Sequence, residues 1–387
     1  MNNLNSKASS KLIPIMLTFF TMGFVDMVGI ATNYIKADFA LSDTIANGLT
    51  SMVFVWFLIC SVPTSALMNK IGQRRTVLLS LAVTFASLLL PLIHYSLASM
   101  TIAFTLLGIG NVLMQVSLNP LLSNLVSEKK LASTMTFGQF IKAIASLLAP
   151  VLAAKMALIF GDWKMLYLLF LAINLLSALW LWFTKIEEPQ KEGSQRVSII
   201  STFKMLGDKQ LFLLFIGLMC HVVIDVGTNV SAPKILMEKL GVGLSQAGIA
   251  TSIYFLFRVS GCILGSSILS KCSHKVFFYL SVSCISLGVL GLYIFGSMVP
   301  LYACFALIGF GNSNIYPMIF SKALLSRPQQ KNATSGLMTM GVFGGTVFPF
   351  LMGVTSDALH SQVGVVLVLS ACVLYLWSMV IKRRSVI

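Results

Sequence analysis

Four ionisable side chains, Asp26, Lys142, Asp225 and Arg258, stand deep within long apolar stretches of the sequence. A charge at the centre of a membrane helix costs at least ~2.5–3.5 kcal/mol on insertion scales, so such residues face a cavity or one another and mark a solute or ion path. Two acids and two bases invite pairing, Asp26 with Lys142 and Asp225 with Arg258. The pairs are either structural ties between helices or coupling groups that accept and release a cation. Polar residues surround them at helical spacing: Asn33 two turns from Asp26, Gln115 with Asn119, Gln139 with Lys142, and Asp225 with Asn229. With Asn314, the candidate substrate-binding set is Asp26, Asn33, Gln115, Asn119, Gln139, Lys142, Asn229 and Asn314. Carboxamides and charges converging from several helices offer directed donors and acceptors to a hydroxyl-rich solute. The alternative is hydrogen bonding between helices, worth about 0.6 kcal/mol each in membranes. His221, one turn before Asp225, is either a member of a proton relay or an ordinary polar residue.

Such residues need elements that carry them through an apolar medium. The chain has 387 residues, 57% hydrophobic and 10% charged, whereas soluble proteins carry about 25% charged residues. Its apolar residues arrive in blocks such as VLLSLAVTFASLLLPLI (77–93) and MLYLLFLAINLLSALWLWF (165–183). Blocks of roughly 17–25 apolar residues read as spanning helices. Twelve are expected, near 13–35, 45–68, 76–96, 98–126, 132–159, 163–184, 211–236, 244–270, 275–296, 298–325, 331–356 and 362–382. The longest polar stretch, 185–210, separates the two sets and holds nine charges. The expectation is an all-α membrane protein: a six-helix bundle over 1–184, a solvated cytoplasmic linker over 185–210 and a second six-helix bundle over 211–387. A full apolar span without a small-residue cleavage site follows the polar first 14 residues, which reads as an uncleaved helix.

The net charge is +15, but no basic patch interleaves with aromatics on a polar domain, so nucleic acid is not an expected partner. With the N-terminus inside, that end and the even-numbered connections carry 20 Lys and Arg, and the opposite side five: Lys36, Lys155, Lys164, Lys234 and Lys239. This asymmetry predicts both termini in the cytoplasm. Trp163, Trp180 and Trp182 are expected as interfacial anchors of the sixth span.

The two sets repeat each other. TLLGIGN (105–111) answers ALIGFGN (306–312) at an offset of 201, NGLTS (47–51) answers AGIAT (247–251) at 200, and FVDMVG (24–29) answers VIDVGT (223–228) at 199. Parallel halves of six helices bind substrate midway between them in the major facilitator fold. The repeated GxGN lacks a preceding strand and reads as a packing and hinge motif; no phosphate site is expected there. There is no GxxxxGK[ST], no HExxH and no ligand cluster, and the seven cysteines and four histidines are scattered. No catalytic residue, metal site or cofactor is expected, and ATP-driven pumping has no engine.

SALMNKIGQRR (65–75) resembles the signature loop GxLxDRxGRR of the major facilitator superfamily. Ser65 stands for its Gly and Asn69 for its gating Asp, while Lys70, Gly72, Arg74 and Arg75 remain, so these five from Asn69 to Arg75 form the candidate gating loop. GFVDMVGIATNYIKADFALSD (23–43), GNVLMQVSLNPLLSNL (110–125), LASTMTFGQFIKAI (131–144) and GNSNIYPMIFSKAL (311–324) resemble the fucose/glucose-galactose:proton symporter branch. The resemblance implies import of a monosaccharide driven by a proton; a monomer in a bacterial inner membrane is expected. By position, Gln139 and Lys142 match sugar-contacting Gln and Asn of fucose permeases. Gln115 matches a position that is Gln in glucose/galactose relatives and Glu in fucose permeases. The coupling Asp of fucose permeases falls at Gly29, whereas Asp26 falls on a sugar-binding Asn.

The leading expectation is therefore a secondary transporter working by alternating access, a monosaccharide symporter with H+ ahead of Na+, coupled through Asp26, Lys142, Asp225 and Arg258. Efflux of a small amphiphilic compound or metabolite by antiport is the alternative, and a receptor that has lost transport is a third.

Overall fold

The computed structural model describes residues 2–41, 43–188 and 199–381; some side chains within these ranges, Asn33 and Pro150 among them, lie outside the described residues, as do most of the linker and the basic tail. Every regular element among the described residues is helical. The first set comprises α1 (Asn2–Met22), a 3-10 turn (Gly23–Met27), α2 (Val28–Asp38), α3 (Asp43–Ile71), α4 (Gln73–Ile93), α5 (Leu97–Ser123), α6 (Glu128–Phe160) and α7 (Met165–Phe183). After α8 (Ile199–Lys204), the second set comprises α9 (Lys209–Leu240), α10 (Leu244–Ala247), α11 (Ile249–Ile268), α12 (His274–Ile294), α13 (Met298–Asn312), α14 (Ile315–Ser326), α15 (Lys331–Met340), α16 (Gly344–Leu359) and α17 (Val363–Ile381). Among the described residues, 11 helical stretches are long and apolar enough to cross a membrane. The expected first crossing is the one that the 3-10 turn divides. The chain is a multi-pass, all-α membrane protein, close to the twelve spans expected.

The repeated GxGN organises both sets in the same way. A Cβ on Gly108 of α5 would come within 2.6 Å of the Val53 carbonyl oxygen on α3; on Gly309 of α13 it would come within 2.3 Å of the Tyr254 carbonyl oxygen on α11. The second glycines repeat the pattern. Gly110 lies against Thr84 and the Ser80 carbonyl of α4, and Gly311 against the Ser281 carbonyl of α12. The asparagines then reach the first helix of each set. Asn111 Nδ2 donates to the Met22 carbonyl at 2.9 Å, and Asn312 Nδ2 to the His221 carbonyl at 3.4 Å. Met22 and His221 are themselves 199 positions apart. Small residues let helix backbones touch in lipid, where no hydrophobic force drives helices together. Three neighbouring positions thus fix three neighbouring helices, twice.

The compact units depart from the chain halves at two places. One unit contains Met1–Leu131, Gly138–Phe203 and Arg327–Met340; the other contains Ala132–Phe137, Lys204–Ser326 and Gly341–Ile387. In the first, Gly336 of α15 lies so flat on α3 that a Cβ would meet the Ser61 carbonyl oxygen at 2.7 Å. Ser335 Oγ donates to the Val116 carbonyl of α5 at 2.6 Å. In the second, Ser133 donates to the Ser266 carbonyl of α11.

Candidate functional site

The expected pair between Asp225 and Arg258 is formed. Arg258 Nη1 stands 3.0 Å from Asp225 Oδ1. Tyr254, one turn before Arg258 on α11, donates its hydroxyl to the same oxygen at 2.5 Å. The network continues inward: Asn312 Nδ2 lies 3.4 Å from the Tyr254 hydroxyl, and Asn312 Oδ1 lies 2.8 Å from His221 Nδ1. His221 therefore joins Asp225 through Asn312 and Tyr254, not directly. A carboxylate answered by a guanidinium and a phenol is compensated, which is what allows it to sit partly buried.

Asp26 is held differently. It lies in the 3-10 turn, exposed, while Gly23, Phe24, Val25 and Met27 around it are buried. Asp26 and Lys142 form no ion pair among the described residues, contrary to expectation. The physical reason is the approach of α6. A Cβ on Gly23 would meet the Lys142 carbonyl oxygen at 2.5 Å and Ala145 Cβ at 2.7 Å, so α6 turns its backbone to the break. The side chain that reaches Asp26 is Ser146, one turn after Lys142, whose Oγ donates to Asp26 Oδ2. The same hydroxyl lies 3.1 Å from the Lys142 carbonyl oxygen, a second acceptor for its single proton. The repeat accentuates the contrast. The contacts of Gly108 and Gly309 match Tyr254 with Val53, and so Arg258 with Phe57, both apolar and buried at 0% and 3% exposure.

The remaining candidates divide. Gln115 and Asn119 are buried on α5, where Asn119 Nδ2 donates back to the Gln115 carbonyl at 3.1 Å. Gln139 and Lys142 are half-buried on α6, and Asn229 is half-buried on α9, its carbonyl accepting from Thr251 at 3.2 Å. Asn33 has its side chain outside the described residues. Asn314 is 2% exposed and its Nδ2 donates to the Gly261 carbonyl at 3.0 Å, in a notch on α11 floored by Gly261 and Gly265. That geometry makes it a tie between α11 and the α13–α14 junction. Ser146, Tyr254 and the asparagines of GxGN escaped sequence reasoning as site residues. The legible signals were their spacing of one turn from Lys142 and Arg258 and the repeat of GxGN.

The candidate gating loop is a capping device. Gly72 has φ +91°, a left-handed backbone that favours glycine, and opens α4. Glu188 accepts from the Gln73 and Arg74 amides at 2.7 and 2.8 Å, closing the N-terminus of α4 with a carboxylate. Arg74 donates to the Leu181 and Trp182 carbonyls that end α7. The linker is thus not wholly solvated: Glu188 ties its start to α4. Lys70 and Arg75 are exposed. Asn69, which replaces the family carboxylate, accepts from Asn332 Nδ2 at 2.9 Å. Gln73 joins Asn332 and Asn124, each at 2.7 Å, and Lys331 Nζ reaches Asn124 at 3.4 Å. Side-chain amides therefore link α15 to α3, α4 and the end of α5.

At the other end of the first set, Asp38 accepts from Tyr95 at 2.6 Å and from Trp163 Nε1 at 3.3 Å, and Trp163 stacks on Tyr34 at 4.9 Å. Burial, then the hydrogen bond to Asp38, hold the Tyr95 phenol above its usual pKa. Trp163 is 6% exposed, so it is a packing residue and not the expected interfacial anchor; Trp180 and Trp182, at 42% and 64%, fit that role.

The comparisons agree with this architecture. The Major Facilitator Superfamily profile matches residues 15–349, and again 214–385. A putative glucose/galactose transporter of Helicobacter pylori is 25% identical over 368 residues, 88% of each chain. A glucose/galactose transporter of Brucella abortus is 23% identical over 388 residues, 92% of each chain. The crystal structure of the E. coli fucose:proton symporter FucP superposes with a TM-score of 0.80 at 18% identity, covering 95% of this chain and 98% of that one. Matched by that profile over most of its length, the chain belongs to the major facilitator superfamily, a family of transporters and not of enzymes.

Proposed function

We propose that the protein is a secondary importer of a neutral monosaccharide driven by protons, with Asp26 as the coupling carboxylate. The observation that carries this reading is the inequality of the two repeated carboxylates. Asp225 is compensated by Arg258 and Tyr254, whereas Asp26 is in no ion pair among the described residues and has a serine hydroxyl as its partner. Asp225 has its counter-charge in place on α11, whereas the charge of Asp26 is answered by a neutral hydroxyl and is left for an ion to match. Ser146 can serve either state of Asp26: its hydroxyl donates to the carboxylate, or turns its proton to the Lys142 carbonyl and accepts from the protonated acid.

Neutralising Asp26 lowers the barrier to the inward transit of the loaded carrier, and a proton crossing a 100 mV potential contributes about 2.3 kcal/mol. The names of the Helicobacter and Brucella relatives support glucose or galactose as solute, and the fucose:proton symporter supports the ion. Gln115, Asn119, Gln139, Lys142 and Asn229 are the proposed sugar contacts, and both termini are proposed to be cytoplasmic. The test is uptake of labelled monosaccharides into proteoliposomes under separate H+ and Na+ gradients. Accumulation driven by H+ alone is expected; accumulation driven by Na+ alone, or extrusion of amphiphilic dyes without sugar flux, overturns the reading.

A further inference from the structure

A polar cavity of about 110 Å³ opens in the second unit where α9, α16 and α17 meet. It is lined by none of the candidate coupling or substrate-binding residues. Its polar lining is Ser231, Lys234, Ser356, Asp357 and Gln362. Two of these present buried atoms with no partner: Ser356 Oγ, on a residue 8% exposed, and Gln362 Oε1. A buried polar atom left unpaired costs roughly 1–3 kcal/mol, so an orphan at a cavity wall points to an occupant that the cavity is built to hold. The loop that carries Gln362 is itself anchored. Glu238 accepts from Ser361 Oγ and from the Gln362 amide, each at 2.6 Å, and His360 turns the chain at φ +48°.

The lining also states the occupant's chemistry. Lys234 and Asp357 contribute one charge of each sign and make no ion pair among the described residues, so the site has no net charge with which to select an ion. Hydroxyls, an amide and both charges supply donors and acceptors together. The rest of the lining, including Val230, Met352 and Val365, is apolar, as suits the C–H face of a sugar ring. Gly353 leaves the room: a Cβ there would meet nothing within 4 Å.

We propose that this cavity is a loading subsite for a neutral, hydroxyl-rich solute, reached before the sugar contacts proposed above; it rests on the monosaccharide reading. On the charge-based topology it lies at the outer end of the second set, where Lys234 and Lys239 mark the outside. The test uses full-length protein in phosphatidylcholine vesicles, with and without phosphatidylglycerol, and initial rates of uptake of labelled D-glucose and D-galactose. Ser356→Ala and Gln362→Leu each raise KM about fivefold, as expected for one hydrogen bond, with kcat held. Gly353→Leu, whose Cβ meets nothing within 4 Å, has the same effect, and Gly353→Ala a smaller one. Unchanged KM in all of them means that the cavity holds water only and overturns the proposal. An effect confined to vesicles with phosphatidylglycerol assigns the cavity to a lipid headgroup and also overturns it. If the unmodified protein moves neither sugar, the monosaccharide reading fails first and the subsite with it.

Discussion

Asp26 and Asp225 occupy matching positions in the repeat, yet their partners differ. At Asp225 the guanidinium and phenol come from one face of α11, because Tyr254 and Arg258 are a turn apart. Replacing Arg258 by Met leaves a partly buried carboxylate with the Tyr254 hydroxyl but without its counter-charge. The Asp225 and Arg258 side chains are 19% and 27% exposed, so the loss is at the low end of the roughly 3–5 kcal/mol typical of a broken buried pair. It should appear as a lower unfolding temperature in detergent, partly restored when Asp225→Asn is added. Asp26→Asn should behave in the opposite way: stability held, uphill uptake abolished and counterflow of labelled sugar retained. Ser146→Ala should lower uphill uptake less severely, again with counterflow retained. Persistence of uphill uptake in Asp26→Asn removes Asp26 from the coupling role.

Between elements, the repeated GxGN determines how closely helices approach. Gly108→Val and Gly309→Val force apart α5 from α3 and α13 from α11, where the carbonyl oxygens of Val53 and Tyr254 already stand closer than any real Cβ contact. Overpacking of this kind costs about 1–3 kcal/mol, and both variants should show lower thermal stability and monodispersity. Asn111→Ala leaves the Met22 carbonyl, at the last residue before the 3-10 turn, without its donor. It should destabilise the turn that carries Asp26 and so reduce transport more than a surface substitution does. The amides around α15 form a second such joint. Gln73→Leu strips a hydrogen bond from both Asn124 and Asn332, a loss of roughly 1–3 kcal/mol that unfolding curves will register. Because these three groups are carboxamides, their bonding carries no titration of its own.

For the whole molecule, the test is sidedness. Cys272 is exposed in the connection between α11 and α12, which the charge distribution assigns to the cytoplasm. A membrane-impermeant thiol reagent should label it only after cells are permeabilised. In a Cys272→Ser background, a cysteine introduced at His94 should be labelled from outside. The reverse pattern would invert the topology and with it the direction assigned to the loading subsite.

Sequence alone determined the features that arise from local necessity. A helix must be apolar over its whole crossing, so the spans are written as contiguous blocks. The repeat is legible because GxGN serves one packing task twice. The Asp225–Arg258 pair was legible because an unpaired charge of either sign is expensive at that depth. What only the tertiary structure decided is which side chains meet across distant segments. Ser146, not Lys142, reaches Asp26 because Gly23 draws the α6 backbone against the turn. Asn314 joins α11 because Gly261 and Gly265 leave a notch there. Trp163 is buried because Tyr34 and Asp38 converge on it. Helix rotation and the closeness of approach fix each of these meetings, and both are set by glycines and partners far away in the chain.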